Sequence, residues 1–475
     1  MGAFEITPFH KVRSEVARWP AYLVGQGRRP NMLTLEITKR CTNQCAHCTN
    51  SASPQDRREL SLSIIMRLIK EAQQEGFVAI GLWGGEPFLR ADLDDICREV
   101  FAQGLDVSTV TNCFWGNRPE NAVARFGRLL AMKPRERTLK LSESCDILHL
   151  ENPATPLENV ANVVRAGVAL NDRTFPLVVE GLQVEGDLSL QALFQLLGPS
   201  YCWVSDDAVV GDRGGVVIPA SPNAVLHVSS GPVNLAVGRA KTSFRYKRSS
   251  APLVLASLKN SRAPLLHNHS INIGVSGASF LDQELVGEEA FPFGNIHEVT
   301  LRRALADILV DPFATLLTSN PARLALAPFR KYVDLARLFA VSHSYPELFM
   351  RLYQMDRPDH DFSSQLDDAR KTVSSPSASP AKSLAAIDQL IRLGDITDVA
   401  ALERLMANPR LSRKVGRAAA IAFMALDNED VWAKRLLQYS FIHSSKLCFE
   451  GIERAAHLGV FPLPDWFEAC AFVLP

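Results

Sequence analysis

Between Leu33 and Val204 the apolar positions follow two rhythms in alternation. Short runs rich in apolar and β-branched residues, at Leu33–Ile37, Val78–Trp83, Asp106–Val110, Thr138–Leu141, Phe175–Val179 and Tyr201–Val204, predict strands. The longer segments between them place apolar residues three and four apart and predict helices: Leu62–Gln74, with Ile64, Ile65, Leu68 and Ile69 on one side, then Leu93–Gln103, Pro119–Ala131, Leu157–Ala169 and a short one near Leu188–Leu196. Gly84 and Gly85 stop the second strand, and Gly104 ends the second helix. Six strands with helices between them predict an α/β fold, a partial parallel (β/α)6 barrel.

Beyond that core the rhythm changes. From Asp206 to Phe293, Gly, Ser, Pro and short β-like runs predict a small α+β extension. Leu301–Tyr353 is helical in pattern, and the Ser/Pro/Ala run Thr372–Pro380 reads as a linker. Leu384–Ala469 is a series of short amphipathic segments broken near Gly394, Pro409, Asp427 and Gly459, which predicts a C-terminal all-helical domain. The expected organisation is an N-terminal leader (1–32), a barrel core (33–205), an extension (206–310), a helical segment (311–371), a linker (372–383) and a repeat-like helical domain (384–475).

Composition narrows the class. With 47% hydrophobic and 21% charged residues, the 475-residue chain can build sizeable cores. Basic and acidic side chains number 51 each, so there is no basic excess and nucleic acid is not an expected partner. Met1–Lys11 has no apolar signal region, and no apolar stretch is long enough to span a bilayer, so the expectation is a cytoplasmic protein without a membrane partner. In a reducing compartment the nine cysteines are not expected to form disulfides.

Three of the nine stand together. Cys41-Thr-Asn-Gln-Cys45-Ala-His-Cys48 directly follows the first predicted strand, at the end of a barrel strand where such folds build their chemistry. A structural zinc site wants four ligands in a closed tetrahedron; no fourth cysteine stands at finger-like spacing, and His47 is squeezed between ligand positions. Three thiolates suit a 4Fe–4S cluster with one iron left open to a cofactor or substrate. Gly84-Gly85-Glu86-Pro87 ends the second predicted strand, where glycines admit close approach of backbone to a ligand. Thr111-Asn112 ends the third; Ser142, then Asp146 and His149, follow the fourth. Polar groups there serve either as loop caps or as contacts to a bound molecule. Cys97, Cys448 and Cys470 lie in helical patterns and read as core residues, whereas Cys113 and Cys145 fall just after strands and could face an active site. The basic run Arg239, Lys241, Arg245, Lys247 and Arg248 reads as a solvated surface or, failing that, as an anchor for a carboxylate or phosphate.

Taken together these motifs resemble the radical S-adenosylmethionine (SAM) superfamily, whose signature is Cys-x3-Cys-x2-Cys after strand one. Leu35-Glu-Ile-Thr-Lys-Arg-Cys41 looks like its usual lead-in, and His47 stands where the family usually has an aromatic. The resemblance implies that Cys41, Cys45 and Cys48 hold one redox-active 4Fe–4S cluster. It implies that Gly84, Gly85, Glu86 and Pro87 hold the methionyl amine of SAM, with Glu86 as acceptor, and that Thr111, Asn112 and Ser142 meet its ribose or carboxylate. One electron, from a donor such as flavodoxin or ferredoxin, would then split SAM to a 5′-deoxyadenosyl radical that takes a hydrogen atom from a substrate. Some family members return that atom from a thiol, which makes Cys113 and Cys145 candidate hydrogen donors.

Gly238-Arg239-Ala240 and Phe293-Gly294-Asn295-Ile296-His297 resemble the SPASM/Twitch subgroup, whose extension carries cysteines for auxiliary clusters. Leu253–Asn295 contains no cysteine, so the expectation is an extension without those clusters and about four irons per chain. His267 and His269 in that stretch read as ordinary loop residues. The subgroup resemblance implies a peptide or peptide-derived precursor as substrate, with the C-terminal helical domain as a surface for a protein partner. The alternative is dehydrogenation or deoxygenation of a sugar, nucleoside or other small molecule. A non-catalytic iron–sulfur electron carrier would explain the cysteines but not Gly84–Pro87.

Overall fold

The computed structural model describes residues 7–19, 24, 29–204, 216–218, 226–231, 233–248, 270–281, 292–320, 322–355, 362–375, 377–408 and 411–426. The chain divides into two compact units: Arg29–Ala251 with His267–Ile308, and Met1–Arg28 with Pro252–Leu266 and Leu309–Pro475. The predicted breaks at Pro409, Asp427 and Gly459, the cysteines 448 and 470, and His267 and His269 lie outside the described residues.

The first unit is built on one open sheet. In chain order its strands are β1 (Met32–Thr38), β2 (Ala79–Gly84), β3 (Asp106–Thr111), β4 (Leu139–Ser144), β5 (Leu177–Leu182), β6 (Cys202–Val204), β7 (Val216–Ile218), β8 (Leu226–Gly231), β9 (Ser270–Ile273), β10 (Ala278–Leu281) and β11 (Pro292–Asn295). Their spatial order is β11-β10-β9-β1-β2-β3-β4-β5-β8-β7-β6. From β9 across to β8 every pairing is parallel, and the outer strands on both flanks are antiparallel. Mixed α/β architecture with a parallel, unclosed sheet is therefore what the alternating rhythms encode.

One strand of the predicted core is corrected. Among the described residues Cys202–Val204 pairs with β7 alone, antiparallel, and the place beside β5 belongs to Leu226–Gly231. Leu226 and Val228 are buried while His227 between them is exposed, so β8 is a half-polar strand that an apolar-run criterion passes over. β9 likewise comes from the segment read as an extension, yet it adds to β1 in parallel, Met32 opposite Ser270 and Leu35 opposite Ile273.

Register and alternation divide the sheet into two faces. Leu33, Leu35, Ile80, Leu82, Val107, Leu139, Leu141, Leu177 and Val179 share the apolar face. Helices cover it: a Cβ on Gly167, in the Leu157–Leu170 helix, would lie 2.4 Å from the Leu177 side chain and 3.1 Å from Phe126. The opposite, inner face carries Thr34, Ser108, Lys140, Ser142, Ser144, Glu180 and Ser229. The Leu157–Leu170 helix lies against the apolar face, and the polar side chains stand on the face opposite it.

The second unit is helical. Thr7 Oγ1 accepts from His10 N at 3.3 Å to cap Pro8–Val16, within the stretch read as a leader. Phe9 of that helix is fully buried, edge-on to Phe313, Phe349 and Tyr353. Much of Thr372–Pro380, expected as a linker, belongs to helices: one runs over Ser363–Ser374 and the next begins at Pro380 and runs to Leu393. Ser379 Oγ accepts from Lys382 N at 3.4 Å, so the Ser-Pro pair is N-cap chemistry. The helix stops at Gly394, and Val399–Met406 and Arg413–Leu426 follow. No helix among the described residues is long and apolar enough to cross a membrane.

Candidate active site

β1 runs out at Thr38 into a loop that carries all three clustered cysteines, each half-buried and free. Backbone bonds shape it: Cys41 N donates to Ser53 O at 3.1 Å, Ser53 N to Lys39 O at 3.2 Å, and Cys48 N to Cys45 O at 3.2 Å. Cys41 Sγ accepts from Asn43 N at 3.4 Å and from Asn112 Nδ2 at 3.6 Å. Burial, Glu86 and the neighbouring Cys48 push the Cys41 thiol up to about 12. Burial raises Cys45 further, with Cys48 and Cys41 adding to it. The three sulfurs are thus close enough to repel one another as thiolates, an arrangement that a bound cation or cluster relieves.

The turn after β2 is locked onto this loop. Gly85 N donates to Thr38 O at 2.6 Å and Glu86 N to Arg40 O at 2.8 Å. Gly84 has φ +134°, and a Cβ there would sit 2.1 Å from Thr38 O; one on Gly85 would sit 2.2 Å from Arg40 O. Both positions need glycine because two backbones meet there. Asn50 Nδ2 donates to Gly84 O at 2.6 Å, a second tie between the two loops.

Glu86 is buried and occupied from within. Its carboxylate accepts from Phe88 N at 3.1 Å, Thr111 Oγ1 at 3.1 Å and Asn112 N at 2.7 Å. Burial pushes it up to about 7 against the pull of those donors. Asn112 Nδ2 in turn donates to Thr42 Oγ1 at 2.9 Å. Thr111 and Asn112 therefore act here as the splice joining the ends of β2 and β3 to the cysteine loop.

At the end of β4, Asp146 caps a short helix through Leu148 N and His149 N, at 3.0 and 3.1 Å, and accepts from His149 Nδ1 at 2.7 Å. Burial opposes this charge pair, but each partner holds the other ionised: Asp146 lies below its ordinary range and His149 above. His149 packs edge-on to His47 with ring centroids 4.6 Å apart. Burial, with His149 beside it, pushes His47 down to about 3, so that ring is neutral. Ligand atoms of His47, Asp146 and His149 lie within 4.8 Å of one another. Asp-x-x-His is visible in the sequence; its meeting with His47 is not.

Residues 35–130, from β1 to the helix after β3, match the model of the Radical SAM superfamily. This segment is similar to the radical SAM superfamily. Over 87 residues it is 37% identical to a probable GTP 3′,8-cyclase of Methanothermobacter thermautotrophicus, covering 18% of this chain and 28% of that protein. A probable GTP 3′,8-cyclase of Methanopyrus kandleri is 29% identical over 182 residues, 35% of this chain and 57% of that one. The radical SAM segment thus spans only part of these relatives' length. Among solved structures, SuiB of Streptococcus suis bound to precursor peptide SuiA is 12% identical, with a TM-score of 0.42 over 71% of this chain and 75% of that one.

The cofactors of the radical SAM domain are a 4Fe–4S cluster and SAM, and the donor set fits them: three gathered, unpaired thiols and no fourth cysteine joining them among the described residues. Ser142, buried on the inner face, lies on the same sheet side as Glu180. Cys113 and Cys145 are placed differently. Cys145 continues the alternation of Leu141 and Glu143 toward the helix-covered side, its N donating to Glu180 O at 2.7 Å. Cys113, at φ +64°, is fully buried; burial and then Glu143 push its thiol well up. The basic run disperses: Arg245 pairs with Glu151 at 3.3 Å and Lys247 with Glu185 at 3.8 Å, both exposed, while Arg239 turns onto the cysteine loop.

Proposed function

We propose that the chain is a radical SAM enzyme acting on a polar small molecule held on the inner face of the sheet. In this reading Cys41, Cys45 and Cys48 ligate the cluster, and Gly84–Pro87 with Thr111, Asn112 and Ser142 frame the SAM site. The observation that carries it is the backbone wiring of the cysteine loop to the Gly-Gly-Glu-Pro turn, Gly85 N to Thr38 O and Glu86 N to Arg40 O. An electron carrier has no use for a second loop held against an open ligand position. When bound, the cluster and SAM supply one-electron cleavage of SAM and hydrogen-atom abstraction from the substrate, and a flavodoxin- or ferredoxin-type donor supplies the electron.

The chain's own residues place and shield the reactants. Lys140 and Glu180 point from β4 and β5 onto the inner face, and neither side chain has a hydrogen bond or ion pair among the described residues. Ser144 and Ser229 flank Glu180 in register. A cation, a carboxylate and hydroxyls on one face suit a substrate with an anionic group and several hydroxyls, such as a nucleotide or sugar phosphate. The names of the archaeal relatives agree with that class. A peptide substrate, which the SPASM/Twitch resemblance favours, is the competing outcome. Cys113 and Cys145, sited beside Glu143, are assigned a packing role in preference to hydrogen return.

The test uses the full chain, reconstituted anaerobically with iron and sulfide and given SAM and dithionite. Release of 5′-deoxyadenosine is expected from the wild type and not from a folded Cys41→Ala, Cys45→Ala, Cys48→Ala variant. Release that persists in that variant would sink the assignment. Nucleotides and sugar phosphates are expected to accelerate release, and Lys140→Met to raise KM for them at least about tenfold, as loss of a charge-assisted contact does. Acceleration by peptides alone would replace the substrate class and leave the radical chemistry standing.

A further inference from the structure

Gly238 and Arg239 are remote from the cysteines in sequence, yet they lie directly on the cysteine loop. Arg239 N donates to Cys48 O at 2.9 Å, Nη1 to Cys45 O at 2.6 Å, and Nη2 to Ala52 O at 2.7 Å. One residue therefore holds three carbonyls that bracket the last two cysteines. Gly238 has φ +55°, and a Cβ on it would come within 2.2 Å of the carbonyl oxygens of Cys48 and Thr49. Only glycine lets the chain approach closely enough to deliver the guanidinium.

The segment that carries them is itself anchored. Val233 is buried in a small core with Leu148 and Val184, and Leu235, Phe244 and Tyr246 pack against it. Arg245 and Lys247 are paired with carboxylates, but Arg239 makes no ion pair among the described residues. Its charge stands against the backbone of the loop that carries Cys45 and Cys48.

We infer that Arg239 is a positioning residue for the cluster: its fork fixes the loop from Cys45 to Ala52, and its charge makes the cluster easier to reduce. The inference rests on the reading that Cys41, Cys45 and Cys48 hold the cluster. Reduction adds one electron, from a low-potential donor, to a centre already bound by anionic sulfurs; a fixed cation nearby favours the reduced form. Arginine supplies both effects because its planar donors reach two carbonyls at once, whereas lysine supplies the charge without the fork.

Full-length wild type, Arg239→Lys and Arg239→Gln are reconstituted anaerobically and compared by two readouts. The first is the cluster midpoint potential, from a dithionite titration followed by electron paramagnetic resonance. The second is the rate at which visible cluster absorbance is lost in the presence of an iron chelator. Arg239→Gln is expected to shift the reduction equilibrium about tenfold toward the oxidised form, about 59 mV for a one-electron couple, and to lose its cluster several-fold faster. Arg239→Lys is expected to keep the wild-type potential and still lose its cluster faster. Wild-type values for both readouts in Arg239→Gln overturn the inference. If Arg239→Gln does not fold, the lysine variant decides: faster loss at unchanged potential supports the inference, and unchanged loss overturns it. A wild-type chain that takes up no cluster, or takes up as much after replacement of Cys41, Cys45 and Cys48 by alanine, overturns the cluster reading instead.

Discussion

Glu86 shows how one residue can be marked by the sequence and still acquire its surroundings from the fold. The Gly-Gly-Glu-Pro motif nominates it as an acceptor for the SAM amine; the structure surrounds its carboxylate with Phe88 N, Thr111 Oγ1 and Asn112 N. Burial raises it from an ordinary 4.5 to about 7. Because the folded value is the higher one, the folded chain keeps a proton that the unfolded chain releases between those two pH values. Its contribution to stability is therefore full at acid pH and falls as pH rises through that window, by on the order of 3 kcal/mol. Glu86→Gln removes this titration. Denaturant unfolding of the cluster-free chain at about pH 5 and pH 7.5 should show a smaller pH difference in the variant than in the wild type, and an unchanged difference would count against this account. None of those partners could be read beforehand, since the Asn112 amide reaches Glu86 only when β2 and β3 lie side by side.

At the scale of elements, glycines with the same letter have opposite roles. Gly84 and Gly85 stand where a Cβ would collide with backbone oxygens of the cysteine loop, whereas a Cβ on Gly127, in the Pro119–Met132 helix, would meet nothing within 4 Å. Gly85→Ala should cost at least about 3 kcal/mol by prising two loops apart, and should abolish SAM binding measured by calorimetry on the reconstituted chain. Gly127→Ala should stabilise by about 1 kcal/mol through helix propensity alone. Equal melting shifts for the two would refute the close-approach argument. The same contrast explains the linker expectation: Ser379-Pro380 carries the composition of a flexible segment but the geometry of a helix start, and composition cannot separate the two.

At the scale of the whole molecule, the helical unit holds a buried charge network that no local pattern announces. Lys331 is bound to Glu15 and, at 2.6 Å, to Asp395; Arg370 grips Asp398 at 2.6 and 3.1 Å. Asp395 is fully buried, so Lys331→Met should leave its carboxylate with Arg370, at 3.5 Å, as its remaining charged partner and cost about 3 kcal/mol, read as a lowered melting transition of the full chain. A melting point within error of the wild type would show the network to be dispensable. These partners come from residues 15, 331, 370, 395 and 398, and only packing assembles them. The same division runs through the chain. The sequence alone determined what is set within one turn or one strand: the first five strand rhythms of the core, the three-thiol loop after the first strand, the glycine turn beside it and the Asp-x-x-His pair. Tertiary structure decided what depends on distant partners: that Leu226–Gly231 and not Cys202–Val204 lies beside β5, that Thr111 and Asn112 splice Glu86 to the cysteine loop, and that Arg239 closes over Cys45 and Cys48. Periodicity and turn chemistry are local properties of a few neighbouring residues. Strand neighbours and loop clamps are chosen by which remote backbone groups still need a partner once those local elements have formed.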